Sequence, residues 1–441
     1  MKSNAQIRPT ISLIASAVLA AISSAAVAAQ NDYSNQTLDH GISVIGSENS
    51  IIADNLSLTG ASYESNSKRN EGIYIGAGSS GQFGGEKLEI RFDEDDASHE
   101  FAGIQVNGQE TGDASAVFAS ENTVIDVSGP VSSGKWGFGL LVNGAGTNTA
   151  SAKFTGGDVF IRTTTENYTA QTATVKANST LDFSNSGNVE IHAYSPYGVT
   201  VVDAPGSLTF NNSGNVLLKG EIVPGTHTAQ TNVVGMQGGN GNWKVTSAVK
   251  ELRIELSGAG VDNDGTSYST GTKGIDMYGS NGTIDIQSES FVIDMDIASD
   301  VVDDSPEGHT AEQAYGISID TNARLVTGAN TVTTITVNEG VGTAYGIYAG
   351  YGATVDLGGN VVIEAKGKTE SYAVQINGTD VYSEEETQPV QETLVTFAGA
   401  ENRLSGDVSV INQGVAGFEN GHTTLDGNAT IDSSSSLSLK E

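Results

Sequence analysis

Short runs of alternating apolar and polar residues recur along almost the whole chain. The stretch 314–366 contains the pattern twice, first as Tyr315–Ile319 (YGISI) and again as Tyr345–Ala349 (YGIYA), and two further short apolar runs follow each copy. Turns that contain glycine and asparagine separate these runs. Alternation with a period of two predicts β-strands that bury one face. The repeated unit is therefore predicted to consist of three short strands.

Each unit begins with a glycine followed by an aliphatic residue, and this anchor step recurs from residue 41 onward. Clear copies occur at Gly41-Ile42, Gly72-Ile73, Gly103-Ile104, Gly139-Leu140, Gly198-Val199, Gly235-Met236, Gly274-Ile275, Gly316-Ile317 and Gly346-Ile347, and weaker copies at Ala173–Val175 and Ala373-Val374. Variable spacing between copies is expected when the strands stay constant and the loops do not.

This repetition predicts an all-β solenoid, a parallel β-helix of about eleven irregular rungs stacked about 4.8 Å apart. A propeller or a sandwich is the alternative. Both of those folds favour antiparallel hairpins with tight turns between longer strands, and the runs here are short and unevenly joined.

Large residues at the end of the second run predict one column inside the solenoid. They are Phe118, Phe154, Phe183, Phe210 and Phe397, with Ile286 and Leu357 in the same role. Aromatic residues also precede the anchor glycine, at Phe138, Tyr197, Tyr315 and Tyr345. Because Glu71 and Lys273 occupy that position elsewhere, we expect it to be a partly covered corner that serves packing.

The first 29 residues have the composition of a secretory signal peptide. Lys2 and Arg8 supply the positive start, Ile11–Ile22 supplies an apolar run, and Ala26–Ala28 supplies a small-residue cleavage site. The apolar run is shorter than the ~20 residues that a membrane-spanning helix needs. We therefore expect residues 1–29 to direct secretion and residues 30–441 to form the mature domain, with no membrane span.

The chain is strongly acidic and contains no cysteine. Its formal net charge is −33, and removal of Lys2 and Arg8 with the signal peptide would leave −35. Such a surface repels nucleic acid and anionic lipid. The absence of cysteine excludes disulfides, thiol catalysis and cysteine-based metal sites.

Metal-binding motifs are incomplete in this sequence. Gly238–Trp243 resembles a calcium nonapeptide without its aspartate, and Asp262–Gly265 resembles part of an EF-hand loop without the final glutamate. The acidic clusters Asp93–Asp96, Asp294–Asp304 and Glu384–Glu386 could hold a hard cation such as Ca²⁺ loosely, but solvated loops are the favoured interpretation. No cofactor is predicted.

A polysaccharide-degrading enzyme is the rival to a binding protein. Glycoside hydrolysis needs two positioned carboxylates, and the candidates on or beside strands are Asp203, Asp276, Asp285, Asp320 and Asp356. The six histidines are scattered and show no metal-ligand spacing. The sequence therefore predicts a protein that is not an enzyme.

Taken together, these features resemble those of the passenger domain of a Gram-negative autotransporter. The shared features are the signal peptide, the acidic glycine-rich repeats, the absence of cysteine and the recurring Tyr-Gly-Ile rung. The resemblance covers residues 30–441 and implies a right-handed parallel β-helix at the cell surface, often an adhesin. Passengers of this family precede an outer-membrane translocator barrel, whereas the pattern here continues in repeat style to the last residues. We expect the translocator to be on another chain or lost, or the protein to be released.

Most of the long insertions fall between the third run of one rung and the anchor of the next, whereas 379–393 follows directly after its anchor. In a stacked coil they would emerge along one edge and form a recognition ridge. The candidate ridge residues are Tyr63, Asp93, Asp95, Asp96, Asp262, Asp264, Tyr268, Asp303, Asp304 and His309. The alternative is that this corner merely tolerates length.

The sequence thus predicts a secreted or surface-displayed adhesin, whose ridge would suit a basic or cation-bridged partner. That partner would be a protein or glycan on a host or neighbouring cell. A polysaccharide-degrading enzyme and a structural stalk from a truncated autotransporter remain the alternatives.

Overall fold

A computed structural model of the protein describes residues 29–46, 49–65, 67–108, 112–223, 233–260, 272–279, 281–299, 313–338, 342–378 and 392–440. These residues form 39 β-strands, numbered β1 to β39 in chain order, and no helix. Successive strands fall on three faces of one coil, since most strands pair with the strand three places further along the chain.

The first face carries the predicted anchors. It comprises β3 (Ile42–Val44), β6 (Arg69–Ile75), β8 (Glu100–Gly108), β11 (Gly137–Gly144), β14 (Ala170–Val175), β17 (Val199–Asp203), β20 (Val233–Gly238), β23 (Thr272–Met277), β26 (Gln313–Ile319), β29 (Thr343–Gly350), β32 (Glu370–Asn377), β35 (Asp407–Ile411) and β38 (Ala429–Ile431). A short strand, β5 (Ser62–Glu64), lies beside β6 and pairs with it in antiparallel fashion.

The second face follows each anchor. It comprises β1 (Ala29–Asp32), β9 (Ala114–Phe118), β12 (Ala150–Phe154), β15 (Ser179–Phe183), β18 (Ser207–Phe210), β21 (Asn242–Val245), β24 (Thr283–Ile286), β27 (Arg324–Thr327), β30 (Thr354–Leu357), β33 (Thr393–Phe397), β36 (Gly414–Phe418) and β39 (Ser436–Leu439).

The third face completes each turn. It comprises β2 (Thr37–Leu38), β10 (Asn122–Gly129), β13 (Asp158–Thr165), β16 (Val189–Ser195), β19 (Val216–Ile222), β22 (Glu251–Gly260), β25 (Ser290–Ser299), β28 (Val332–Val337), β31 (Val361–Ala365), β34 (Glu401–Ser405) and β37 (His422–Asp426). Two longer strands, β4 (Asn49–Leu58) and β7 (Ser80–Asp93), run through the second and third faces and join them into one sheet.

The predicted parallel β-helix is confirmed. Every strand pairing in the described residues is parallel except β5 with β6. The first face holds thirteen stacked strands in the described part, two more than the eleven rungs predicted. The additional strands are β35 and β38, where Asp407 and Asn428 precede the anchor residues Val408 and Ala429 in place of glycine. They were missed because they lack the glycine step.

The anchor glycines let neighbouring parts of the coil approach closely. A Cβ atom at Gly72 would lie 2.7 Å from Ile90 Cγ2 on the third face and 2.6 Å from the Gly103 carbonyl oxygen in the next turn. Further anchor glycines likewise face an isoleucine of the third face and a carbonyl oxygen of the next turn. Glycine therefore recurs because a side chain there would overlap both neighbours.

One anchor was placed wrongly by the sequence. The register aligns Ala173 with Val202, so Val202 is the true anchor of that turn and Gly198-Val199 lies ahead of it. Val201 then occupies the glycine position. The space for its side chain comes from the third face, where a Cβ at Gly220 would lie 3.1 Å from Val201 Cγ2. In this turn the bulky residue, Val201, is therefore on the first face and the small residue, Gly220, is on the third face.

The predicted interior column of large residues is confirmed. Phe118 and Phe154 stack at 4.6 Å between ring centroids, Phe154 and Phe183 at 4.9 Å, and Phe183 and Phe210 at 5.1 Å. Phe83 extends the column at one end of this series, 5.1 Å from Phe118. The rings are nearly parallel because strict register places equivalent side chains above one another.

Three tyrosines that precede the anchor step form a second ladder on the outside of the first face, whereas Phe138 aligns with Ala102 and Gln171. Tyr315 and Tyr345 stack at 4.6 Å, and Tyr345 and Tyr372 stack at 5.2 Å. Ring faces that cover one another offer little area to a ligand, which favours packing as the role of this ladder. Tyr197 does not belong to it, because the register of its turn differs from the predicted one.

Candidate functional site

The described connections from the third face to the next first-face strand lie along one edge of the coil. Five that follow one another, at residues 59–65 with 67–68, 94–99, 130–136, 166–169 and 196–198, are called the corner ridge here. Their alignment follows from the register of the strands that flank them. The edge predicted for recognition is thus a continuous surface in the first six turns.

Tyr63 and Asp96, two predicted ridge residues, are brought together by His99. The rings of Tyr63 and His99 lie 4.6 Å apart, and His99 Nδ1 lies 2.8 Å from an Asp96 carboxylate oxygen. Hydrogen bonds from Ser98 and His99 lower the pKa of Asp96 to about 2. The ridge therefore presents an ionised carboxylate beside an exposed aromatic ring at neutral pH.

Asp93, the last residue of β7, and Asp95, in the connection 94–99, do not join this contact. Asp93 accepts a hydrogen bond of 2.7 Å from Ser128 Oγ in the next turn, and the Asp95 side chain is exposed to solvent. Among the residues that the structure describes, no three histidine or acidic side chains converge in a way that could hold a metal ion.

The other six predicted ridge residues lie outside the described residues. These are Asp262, Asp264, Tyr268, Asp303, Asp304 and His309. The structure therefore describes four of the ten predicted ridge residues.

The connection 130–136 is hydrogen-bonded to the preceding connection, 94–99. Ser132 N donates a hydrogen bond of 3.1 Å to the Ala97 carbonyl oxygen, and the Lys135 ammonium group contacts the Ser98 carbonyl oxygen. Trp136, next to Lys135, keeps 37% of its surface exposed. The exposed indole is consequently held on an anchored loop.

A pair of stacked tyrosines continues the ridge in the next two turns. Tyr168 and Tyr197 lie 4.5 Å apart, with an angle of 23° between their rings. The buried Ser195 hydroxyl donates to the Tyr168 carbonyl oxygen at 2.6 Å and accepts from the Tyr197 backbone N–H at 3.0 Å. One hydroxyl thus fixes the backbone of both tyrosines, so the pair is preorganised.

A cleft of about 540 Å³ opens beside this pair. Its lining comes from four successive connections: Ala97, Val131, Ser132, Ser133, Asn167, Tyr168 and Tyr197. Val131 is fully buried, whereas Ser132 and Ser133 are exposed. The cleft therefore combines an apolar floor, aromatic rings and hydroxyl and amide groups.

His99, Trp136, Tyr168 and Tyr197 were not predicted as ridge residues. With Tyr63 they supply one aromatic side chain for each of the five successive connections. The signal was present in the sequence, since each aromatic follows a third-face strand within a few residues. It would have emerged from aligning the connections instead of the anchors.

Four of the five carboxylates considered for catalysis are dispersed, and the fifth, Asp320, is buried directly after β26, where its carboxylate accepts a hydrogen bond of 2.6 Å from the Thr321 backbone N–H. Asp203 and Asp276 share a column but are separated by Gln237, and Val326 likewise separates Asp285 from Asp356. Asp203 pairs with Lys176 at 3.1 Å, and Asp276 with Lys273 at 2.8 Å. Asp356, which lines a shallow groove of about 580 Å³, pairs with Arg324 at 3.0 Å. This register places no two of these four carboxylates on adjacent turns.

Glu71 is an unusual acid beside the ridge. Its side chain is only 2% exposed, and burial raises its pKa well above the ordinary range, an effect that Ser67 and Arg69 only partly offset and Glu64 reinforces. The native state therefore binds the proton of Glu71 more tightly than the unfolded chain does, where a glutamate pKa is about 4.3. The free energy of unfolding should consequently fall as pH rises above that value.

We expect Glu71→Gln to remove this part of the pH dependence. The variant should be more stable than the original protein at pH 7, with no such gain at pH 4. Urea unfolding between pH 4 and pH 8 measures the difference. The control is Glu166→Gln at an exposed corner position. Parallel pH profiles for Glu71→Gln and the original protein would contradict the assignment.

Comparisons with protein-family models, with curated proteins and with solved structures found no match for this chain. Within the described residues there is no helix with the length and hydrophobicity needed to cross a membrane.

Proposed function

We propose that this chain is a secreted or surface-displayed binding protein, an adhesin that contacts its partner through the corner ridge. One observation carries the proposal: five successive connections each place an aromatic side chain on the same edge of a rigid coil. Partly exposed aromatic residues on fixed loops are the groups that dominate binding energy at protein interfaces.

The charge of the chain limits the partner. The net charge of −33 disfavours nucleic acid and anionic membranes, and the ridge adds Glu94, Asp95 and Asp96 beside its aromatic groups. A protein or glycan on a cell surface that carries basic or neutral groups fits this arrangement. Export by residues 1–29 and delivery in the manner of an autotransporter passenger belong to the same proposal.

Removing ridge aromatics should weaken attachment to cells. We expect the double variant Tyr63→Ser/Trp136→Ser to bind a mammalian epithelial monolayer or a layer of Gram-negative cells at least about tenfold less tightly, since each truncation of an anchoring aromatic typically costs 2 kcal/mol or more. Binding of the labelled full chain, quantified by flow cytometry, measures this loss.

The matched control is Tyr278→Ser on a different edge. Tyr63 is 53% exposed and Tyr278 is 52% exposed, so the two changes remove the same group at the same exposure. If the control variant loses as much binding as the ridge variant, or if the ridge variant binds normally, the ridge is only a corner that tolerates length.

A further inference from the structure

We propose that the cleft beside Tyr168 and Tyr197 binds a linear glycan built of neutral or amino sugars. This inference rests on the proposed binding function and names the ligand class of one part of the corner ridge.

The tyrosine pair supplies a stacking platform. The two rings stack on each other at 4.5 Å, and both residues line the cleft. A sugar ring presents a flat face of C–H groups, which packs favourably on an aromatic ring. Because Ser195 holds the backbone of both tyrosines, little conformational freedom would be lost on binding.

The polar groups of the lining match those of a sugar. Ser132 and Ser133 each carry a hydroxyl that donates and accepts, and the Asn167 amide donates and accepts at separate atoms. Sugar hydroxyls need both kinds of partner at close spacing. The apolar floor, formed by Ala97 and Val131, excludes water beneath the ligand.

The charge around the cleft selects among sugars. Glu166 directly precedes Asn167, and Asp96 directly precedes Ala97. The carboxylate of Asp96 stays ionised, since hydrogen bonds from Ser98 and His99 lower its pKa to about 2. Uronates and sulfated sugars would be repelled, whereas neutral sugars and protonated amino sugars would not.

The direction of the cleft favours a polymer over a single sugar. Its lining comes from connections in four successive turns, which stack about 4.8 Å apart along the coil. A volume of about 540 Å³ falls within the range of ligand-binding pockets and extends along the axis. A chain of several sugars would therefore lie parallel to the coil axis.

The test uses three probes: hexameric N-acetylglucosamine, its deacetylated form and oligogalacturonate. Isothermal titration with the full chain should show binding of the first two and at least tenfold weaker binding of the third. Tyr168→Ala should reduce binding at least tenfold, whereas Tyr168→Phe should retain it because the ring is kept. Tighter binding of oligogalacturonate would overturn the charge argument.

A second variant guards against loss of folding, because Tyr168 also packs against the core. Ser133→Trp adds bulk at an exposed position and should block the cleft without removing any buried group. Tyr278→Ala, away from the ridge, should leave glycan binding unchanged. Glycan binding that survives both Tyr168→Ala and Ser133→Trp would overturn the inference.

The two proposals fail in different ways. If the original protein binds none of the three glycans but attaches to cells through Tyr63 and Trp136, the cleft inference is wrong and the adhesin proposal stands. If glycans bind in the cleft and cells do not bind at all, the adhesin proposal is wrong in its partner.

Discussion

Replacing Ile317 by aspartate is expected to lower the free energy of unfolding by more than about 4 kcal/mol, because it places an unpaired charge in the core. Ile317 is fully buried and aligns with Ile275 in the turn before it and Ile347 in the turn after it. Urea unfolding monitored by circular dichroism measures the loss.

The control is Val332→Asp, which introduces the same charge in the same turn. Val332 is 46% exposed, so we expect a cost below about 1 kcal/mol. Ser318, the neighbour of Ile317, is unsuitable although the sequence suggests an outward position, because it is only 5% exposed. Equal losses for Ile317→Asp and Val332→Asp would show that the register of this turn is wrong.

Gly235→Val is expected to destabilise the protein by about 3 kcal/mol through overpacking. A Cβ atom at Gly235 would lie 2.5 Å from the Gly274 carbonyl oxygen and 2.5 Å from Ile254 Cγ2. The first of these neighbours is backbone of the next turn, so relief would require the two turns to separate. Thermal unfolding of the variant measures the effect.

Gly239→Val, four residues further along the same turn, is the matched control. The nearest atom to a Cβ there is Tyr278 Cε2 at 3.5 Å, which is an ordinary contact distance. We expect a change of less than about 1 kcal/mol for this variant. Similar losses at both glycines would mean that close approach is not the reason for the anchor glycines.

The sequence predicted the fold well where the anchor step is intact. Alternation and the Gly-Ile step placed Ile104, Ile275, Ile317 and Ile347 in the core, because a fixed cross-section imposes the same residue types in every turn. The prediction failed where a residue other than glycine occupies the position before the anchor. Val201 replaces the glycine because Gly220 on a different face makes room, and pattern reading in one run cannot detect such an exchange.

The sequence placed the recognition ridge between the third run and the next anchor, but it identified only some of the aromatic residues there. Tyr63 and Asp96 were identified from long acidic insertions, and they meet through His99. Tyr168 and Tyr197 come from short connections, which a search for length overlooks. Their contact depends on the true register around Val202, and that register was not evident from the glycine pattern.

The strand pairings of the coil have a consequence for how the protein acquires its structure. Apart from β5 with β6, each turn of the described coil finds its hydrogen-bond partners in the turn before it and the turn after it. A chain that emerges end first can therefore fold by templating, each new turn adding to an exposed edge of the last. Folding free energy would be released stepwise along the chain. Each turn that has folded would then oppose retraction of the chain, and no external energy source would be needed for this.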